Sequence, residues 1–111
     1  MLERKIYIFA KSVDMRKQMN GLIQIAKNEF KGQIFSTSKF VFCNKGKDKI
    51  KVLEWDKDGF IVTYKRMEKG IFKYPFSQIS EVDEISISDY RRLMQGLYIE
   101  KYIISQKYLV M

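Results

Sequence analysis

The sequence predicts a single α+β domain in the order β-α-β-β-β-β-α, an antiparallel meander packed on one long amphipathic helix. Three observations predict it. Apolar residues recur at helical spacing between positions 15 and 30, and at period two between positions 39 and 74. The joints between the period-two runs are short, and each carries a glycine. At 111 residues the chain has room for one domain and one modest core.

Ile6-Tyr7-Ile8-Phe9-Ala10 is β-branched and aromatic at both parities, as expected of a strand covered on both sides and joined to the same sheet. Ser12 or Asp14 can then cap a helix over about residues 15–31, with Asp14 also suited to the positive end of its dipole. Met15, Met19, Leu22, Ile23, Ala26 and Phe30 form its apolar stripe. Lys27 and Lys31 fall in its last turn, and Gly32 can supply the left-handed residue that ends it. Gly21 stands mid-helix, where glycine costs about 1 kcal/mol relative to alanine. Close approach of another backbone is the simplest compensation.

Residues 40–44, 49–55, 60–67 and 71–74 read as four strands. They are separated by Asn44-Lys45-Gly46-Lys47-Asp48, Asp56-Lys57-Asp58-Gly59 and Glu68-Lys69-Gly70. The second does not alternate cleanly, since Ile50 and Val52 share one parity and Leu53 and Trp55 the other. Either a bulge lies near Val52-Leu53 or that strand is buried on both faces. Pro75 ends the meander, and residues 78–84 read as a polar loop with an extended piece. Ser86 and Asp89 have capping-box spacing before a short stripe of Tyr90, Leu93, Met94 and Leu97. The domain is expected to span residues 1–97, with residues 98–111 an added strand or docking tail.

An apolar fraction of 46% and an aromatic fraction of 14% argue against disorder. Twenty-one Lys and Arg against thirteen Asp and Glu leave a formal +8 and a pI near 9.6. That excess favours anionic partners, nucleic acid first, over a surface that is merely soluble. Cys43 is the only cysteine, so an internal disulfide is excluded and a reducing compartment is natural. Within Phe40-Val41-Phe42-Cys43 it suits the role of a small buried hydrophobe. Histidine is absent, which removes a His general base and the usual soft ligands for zinc. No cofactor or metal is expected. The apolar run after Lys5 is too short for a signal peptide, and none approaches a membrane span, so a soluble cytoplasmic protein is expected.

Several short motifs follow one another at definite spacing: Asp14-Met15-Arg16-Lys17, Gly21-Leu22, Phe40-Val41-Phe42, Ile50-Lys51-Val52-Leu53-Glu54-Trp55-Asp56, Gly59-Phe60, Tyr64-Lys65-Arg66 and Gly70-x-Phe72. From about Ile6 to Gly96 this order resembles the small TnpB accessory proteins of the IS 66 family of bacterial insertion sequences. These share only a name with the large RNA-guided nucleases. The resemblance implies a part in DNA transposition beside a separate transposase.

Arg16 and Lys17 would stand on the first turn of a helix, where cations oppose the macrodipole. Either they point at phosphates, or Asp14 caps while Arg16 pairs with a carboxylate elsewhere. Lys45, Lys47, Lys49 and Lys51 crowd the first hairpin, opposed by Asp48. A basic hairpin can lie along a phosphate backbone; it can also use lysines to keep its edges from pairing. Lys65 and Arg66 close the third strand, and alternation allows only one of them to face inward. Trp55 suits the core better than a base-stacking platform. Glu54, Asp56 and Asp58 suit turn chemistry better than a magnesium site.

The expected function is a non-enzymatic accessory factor in transposition that contacts DNA, the transposase, or both. The candidate phosphate contacts are Arg16, Lys17, Lys45, Lys47, Lys49, Lys51, Lys65 and Arg66. Only Arg16, Lys17, Lys51, Lys65 and Arg66 also fall within the family motifs. Two other readings are a protein-interaction module for the transposase, using the tyrosine-rich tail, and, more remotely, a small metal-dependent nuclease.

Overall fold

Along the strand β1 (Ile6–Phe9), Ile6 and Ile8 pack to one side and Tyr7 and Phe9 to the other, so both faces of the sheet must be covered. The computed structural model describes residues 5–30 and 33–99. After β1 come helix α1 (Met19–Phe30), a 3₁₀ turn (Gln33–Phe35), and strands β2 (Lys39–Cys43), β3 (Lys49–Asp56) and β4 (Gly59–Arg66). Strand β5 (Val82–Ile85) and helix α2 (Ile87–Met94) follow. They build one five-stranded sheet in the order β4-β3-β2-β1-β5.

The sheet is mixed, not the purely antiparallel meander expected. β1 and β2 are parallel, with Ile6 beside Lys39 and Ile8 beside Val41, because α1 carries the chain back across the sheet between them. Every other neighbouring pair is antiparallel. The expected fourth meander strand at 71–74 does not form. That segment instead crosses the face beneath α2 and buries Phe72 and Tyr74 while Ile71 stays exposed. Its period-two pattern comes from lying extended on a core, which needs the same alternation as a ladder does. The fifth strand comes from the acidic stretch read mainly as loop, and pairs Val82 with Phe9 and Ile85 with Ile6.

Leu22, Ala26 and Phe30 of α1 meet Phe40, Phe42 and Leu53 on one face. Leu93 of α2 meets Ile8, Val41, Ile50, Val52 and Tyr74 on the other. β3 keeps an unbroken register, Lys49 opposite Arg66 through Asp56 opposite Gly59, so burial on both faces and not a bulge explains its mixed parity. Trp55 is half-buried and meets Phe35 and Phe60 edge-on at centroid distances of 5.1 and 4.9 Å. Cys43 is buried, and burial pushes its thiol up to about 12, which suits the structural role expected of it.

α1 is also shorter than expected, starting at Met19. The carboxylate of Asp14 accepts the N–H of Arg16 at 2.9 Å, and the carbonyl of Asp14 accepts that of Lys17 at 3.0 Å. This local turn competes with helix over residues 14–17. At Gly21 the atoms nearest to an added Cβ belong to the side chain of Lys17, whose Cβ would stand 3.3 Å away, and not to another backbone. The predicted stop at Lys31-Gly32 lies outside the described residues. At α2 the expected cap is present, with Ser86 Oγ accepting the N–H of Asp89 at 3.0 Å. Most of the expected C-terminal extension, residues 100–111, also lies outside the described residues. Tyr98 has its carbonyl bonded by Arg92 and its ring beneath Lys73, while Ile99 packs on the α2-side core.

Candidate functional site

Because β1 and β2 run parallel, the loop after β1 and the turn after β2 leave the sheet at the same end. In α/β sheets ligands collect outside the carboxyl ends of such strands. Here the loop and the turn frame a cleft of about 660 Å³, lined by Ser12, Asp14 and Arg16 from the first and Asn44, Lys45, Gly46 and Lys49 from the second, with Tyr64 of β4 on its flank. A second depression of about 430 Å³ shares Ser12 and Lys45 with it and continues past Lys11, Phe76 and Ser77. Together they form a groove across this end of the sheet.

The walls are held by side chains doing structural work. Asn44 Oδ1 accepts the N–H of Asp48 at 3.1 Å and of Lys49 at 3.0 Å, while its amide donates to Asp48 at 2.6 Å. This closes the turn with Lys47 at φ 62°, a left-handed conformation uncommon for a side-chain-bearing residue. Val13 donates to the carbonyl of Cys43 at 2.9 Å and ties the loop to the end of β2. Below both, the hydroxyl of Tyr74 stands 2.6 Å from the carbonyl oxygen of Phe9 and 3.1 Å from that of Val41.

Six of the eight sequence-predicted cations lie on the loop, the turn or the adjoining α1-side surface: Arg16, Lys17, Lys45, Lys49, Lys51 and Arg66. Lys49 and Arg66 are register partners and so share a face, with Lys51 and Tyr64 the next pair on that face. The other two point elsewhere. Lys65 crosses to the α2 side and donates to the carbonyl of Met94 at 2.6 Å, a cation at a helix C-terminus. Lys47 lies over the ring of Phe76, 5.5 Å from its centroid.

Three of the six are ion-paired. Arg16 grips Asp14 through Nε and Nη2 at 2.6–3.1 Å, and this hydrogen bonding holds the Asp14 carboxyl at about 2. The partner of Arg16 is therefore its own motif neighbour, not a carboxylate elsewhere in the fold. Lys49 meets Asp48 at 3.1 Å, and Arg66 meets Glu68 at 2.8 Å. Among the described residues, Lys17, Lys45 and Lys51 have no ion-pair partner. The ammonium of Lys51 is nonetheless bound to the carbonyls of Met15 and Lys17.

Sequence reasoning did not single out Ser12, Asn44 or Tyr64 as lining residues. Tyr64 stood in plain view beside Lys65 and Arg66, and Asn44 opened a recognisable turn, but only the parallel pairing brings them to one cleft. Of the carboxylates weighed for a metal, Glu54 is taken by Lys39 at 2.8 Å. No group of three or more His, Cys, Asp or Glu able to hold a metal occurs among the described residues. No helix among them is long and apolar enough to cross a membrane.

The chain is a small mixed α+β domain with a cation-lined cleft at the end of its parallel strands. The chain belongs to the family described as IS66 Orf2 like protein, whose model matches residues 4–103. It is also 31% identical over 71 residues to the uncharacterized protein y4jC of Sinorhizobium fredii, covering 64% of this chain and 61% of that relative. The match thus spans about three fifths of the relative's length. No solved structure matches the chain.

Proposed function

We propose that this protein is a non-enzymatic accessory factor in the transposition of an insertion sequence, and that it contacts DNA phosphates through the cleft between the 12–16 loop and the β2–β3 turn. One observation carries the assignment: Arg16, Lys45 and Lys49, from separate chain segments, line a single cleft on a chain of formal charge +8. The paired cations keep donors for a phosphate, since an ion pair at a surface is weak and exchanges readily. Lys17 and Arg66 extend the contact surface. Lys47 and Lys65, turned to the Phe76 ring and to the end of α2, stand outside that contact, and Lys51 acts by holding the loop. Family membership supports the setting and makes the element's transposase the expected protein partner.

Fluorescence anisotropy with a labelled duplex at graded salt tests this. Binding should weaken with salt at a slope of about 0.9 per phosphate neutralised, for several phosphates. The double change Lys45→Glu and Lys49→Glu should weaken binding uniformly across sequences while the fold, read by circular dichroism, is kept. Absence of binding at low salt, or binding indifferent to that double change, refutes the cleft. Capture of the transposase with DNA digested away tests the second contact separately.

A further inference from the structure

We propose that the Asp14 carboxylate is a built-in competitor for DNA: it holds the oxyanion-gripping edge of Arg16 in the free protein and surrenders it when a phosphodiester enters the cleft. This rests on the reading of the cleft as a phosphate site and adds a control on its occupancy. Asp14 and Arg16 both line that cleft. Nε of Arg16 donates to both oxygens of Asp14, at 3.1 and 3.0 Å, and Nη2 donates to Oδ2 at 2.6 Å. The edge so engaged is one by which a guanidinium takes two oxygens side by side, and the two non-bridging oxygens of a phosphodiester present the same pair. The backbone N–H of Arg16, a further donor that an anion there would meet, goes to Oδ1 at 2.9 Å. Asp14 thus satisfies the donors that a phosphate would use.

The other two ion pairs of this surface are of a different kind. Asp48 meets Lys49 through Oδ2, but its Oδ1 takes the Asn44 amide at 2.6 Å and so closes the β2–β3 turn. Glu68 meets Arg66 through Nε, and neither is among the described residues that line the cleft. The loop that carries Asp14 has other ties. The Asp14 carbonyl accepts the N–H of Lys17 at 3.0 Å, and Lys51 pins the carbonyls of Met15 and Lys17. The side chain of Arg16 is 91% exposed and that of Asp14 47%, so the guanidinium can turn from one partner to another without disturbing the core. Exchange for a lone anion replaces one exposed pair by another and gains little. A strand of phosphates engages Lys45 and Lys49 at the same time, and those added contacts drive the exchange. The latch therefore favours a chain of phosphates over isolated anions.

Anisotropy of a labelled duplex with the full chain, at graded salt, tests it. Asp14→Asn keeps an oxygen for the Arg16 N–H and removes the charge that holds the guanidinium. It should tighten binding about fivefold, and less than about twofold when Arg16→Ala is also present, because the gain runs through Arg16. The salt slope should be equal in the unaltered protein and Asp14→Asn, and lower by about 0.9 in Arg16→Ala, since the unaltered protein already yields Arg16 to one phosphate. An affinity unmoved by Asp14→Asn overturns the latch, as does an equal gain with and without Arg16, which is charge removal alone. A slope that rises by about 0.9 on Asp14→Asn overturns it too, since Arg16 then stays with Asp14 in the unaltered complex. The double change Lys45→Glu and Lys49→Glu separates the two failures. If it abolishes binding while any of those outcomes occurs, the latch alone falls; if it leaves binding unchanged, the cleft falls and the latch with it.

Discussion

Lys51 reaches from the middle of β3 to donate its ammonium to the carbonyl of Lys17 at 2.8 Å, and to that of Met15 at 2.9 Å, with its charge 5.3 Å from the centre of the Tyr64 ring. One cation therefore fixes the loop that carries two others. Lys51→Met keeps the apolar stem and removes the donors, and should cost about 1–3 kcal/mol, nearer the lower end because the site is partly solvated. Hydrogen exchange should quicken over residues 14–18 and stay unchanged at α2. Unaltered protection in that loop would remove Lys51 from its supporting role.

The Asp14–Arg16 pair sets a pH dependence. Both groups are exposed, and the Asp14 carboxyl lies at about 2 against an ordinary 3.8, chiefly because the Arg16 side chain donates to it. A depressed carboxyl adds stability above its unfolded value, lost as pH falls from about 4 towards 2. Carbon-detected NMR titration should give a midpoint near 2 for Asp14, and Arg16→Ala should move it back up towards 3.8. A midpoint already near 3.8 in the unaltered protein would mean the pair does not persist in solution.

Tyr74 closes the parallel pair from below. Burial holds its hydroxyl well above the ordinary tyrosine range, so it remains a protonated donor between the Phe9 and Val41 carbonyls. Tyr74→Phe preserves the packing and leaves buried carbonyl oxygens short of a donor, so urea unfolding should show a loss of about 1–3 kcal/mol. A loss below a few tenths would mean that water replaces the hydroxyl.

Gly96 ends α2. Its N–H donates to Leu93 and that of Leu97 to Arg92, the paired bonds of a Schellman turn, and its φ is +80°. Gly96→Ala should cost about 1–2 kcal/mol from the left-handed backbone. The new Cβ would also stand 2.8 Å from the terminal methyl of Met67, which can swing aside. Thermal unfolding reads the effect; an unchanged midpoint would contradict it.

Much of the fold was legible because its causes are local. The α1 stripe, the Ser86 cap and the strands 40–44, 49–55 and 60–67 all follow from side-chain periodicity or from a hydrogen bond within a few residues. The site was legible only in part. Arg16, Lys45 and Lys49 could be named from charge clustering, but Lys51 and Lys65 turned inward to carbonyls that no spacing rule reveals. The start of α1 was misplaced because a carboxylate that can cap a helix can equally close a turn.

By itself the sequence determined the two helical stretches, four of the five strands, the family, and an excess of positive charge. Tertiary structure decided which strand became the fifth, that β1 and β2 run parallel, and hence that a loop at 12–16 and a turn at 44–49 share one cleft. The physical reason is that alternation records only whether a residue meets a core. An extended segment that joins a ladder, like 82–85, and one that merely lies across a sheet face, like 71–74, satisfy the same pattern. Only the placement of their backbone hydrogen bonds tells them apart.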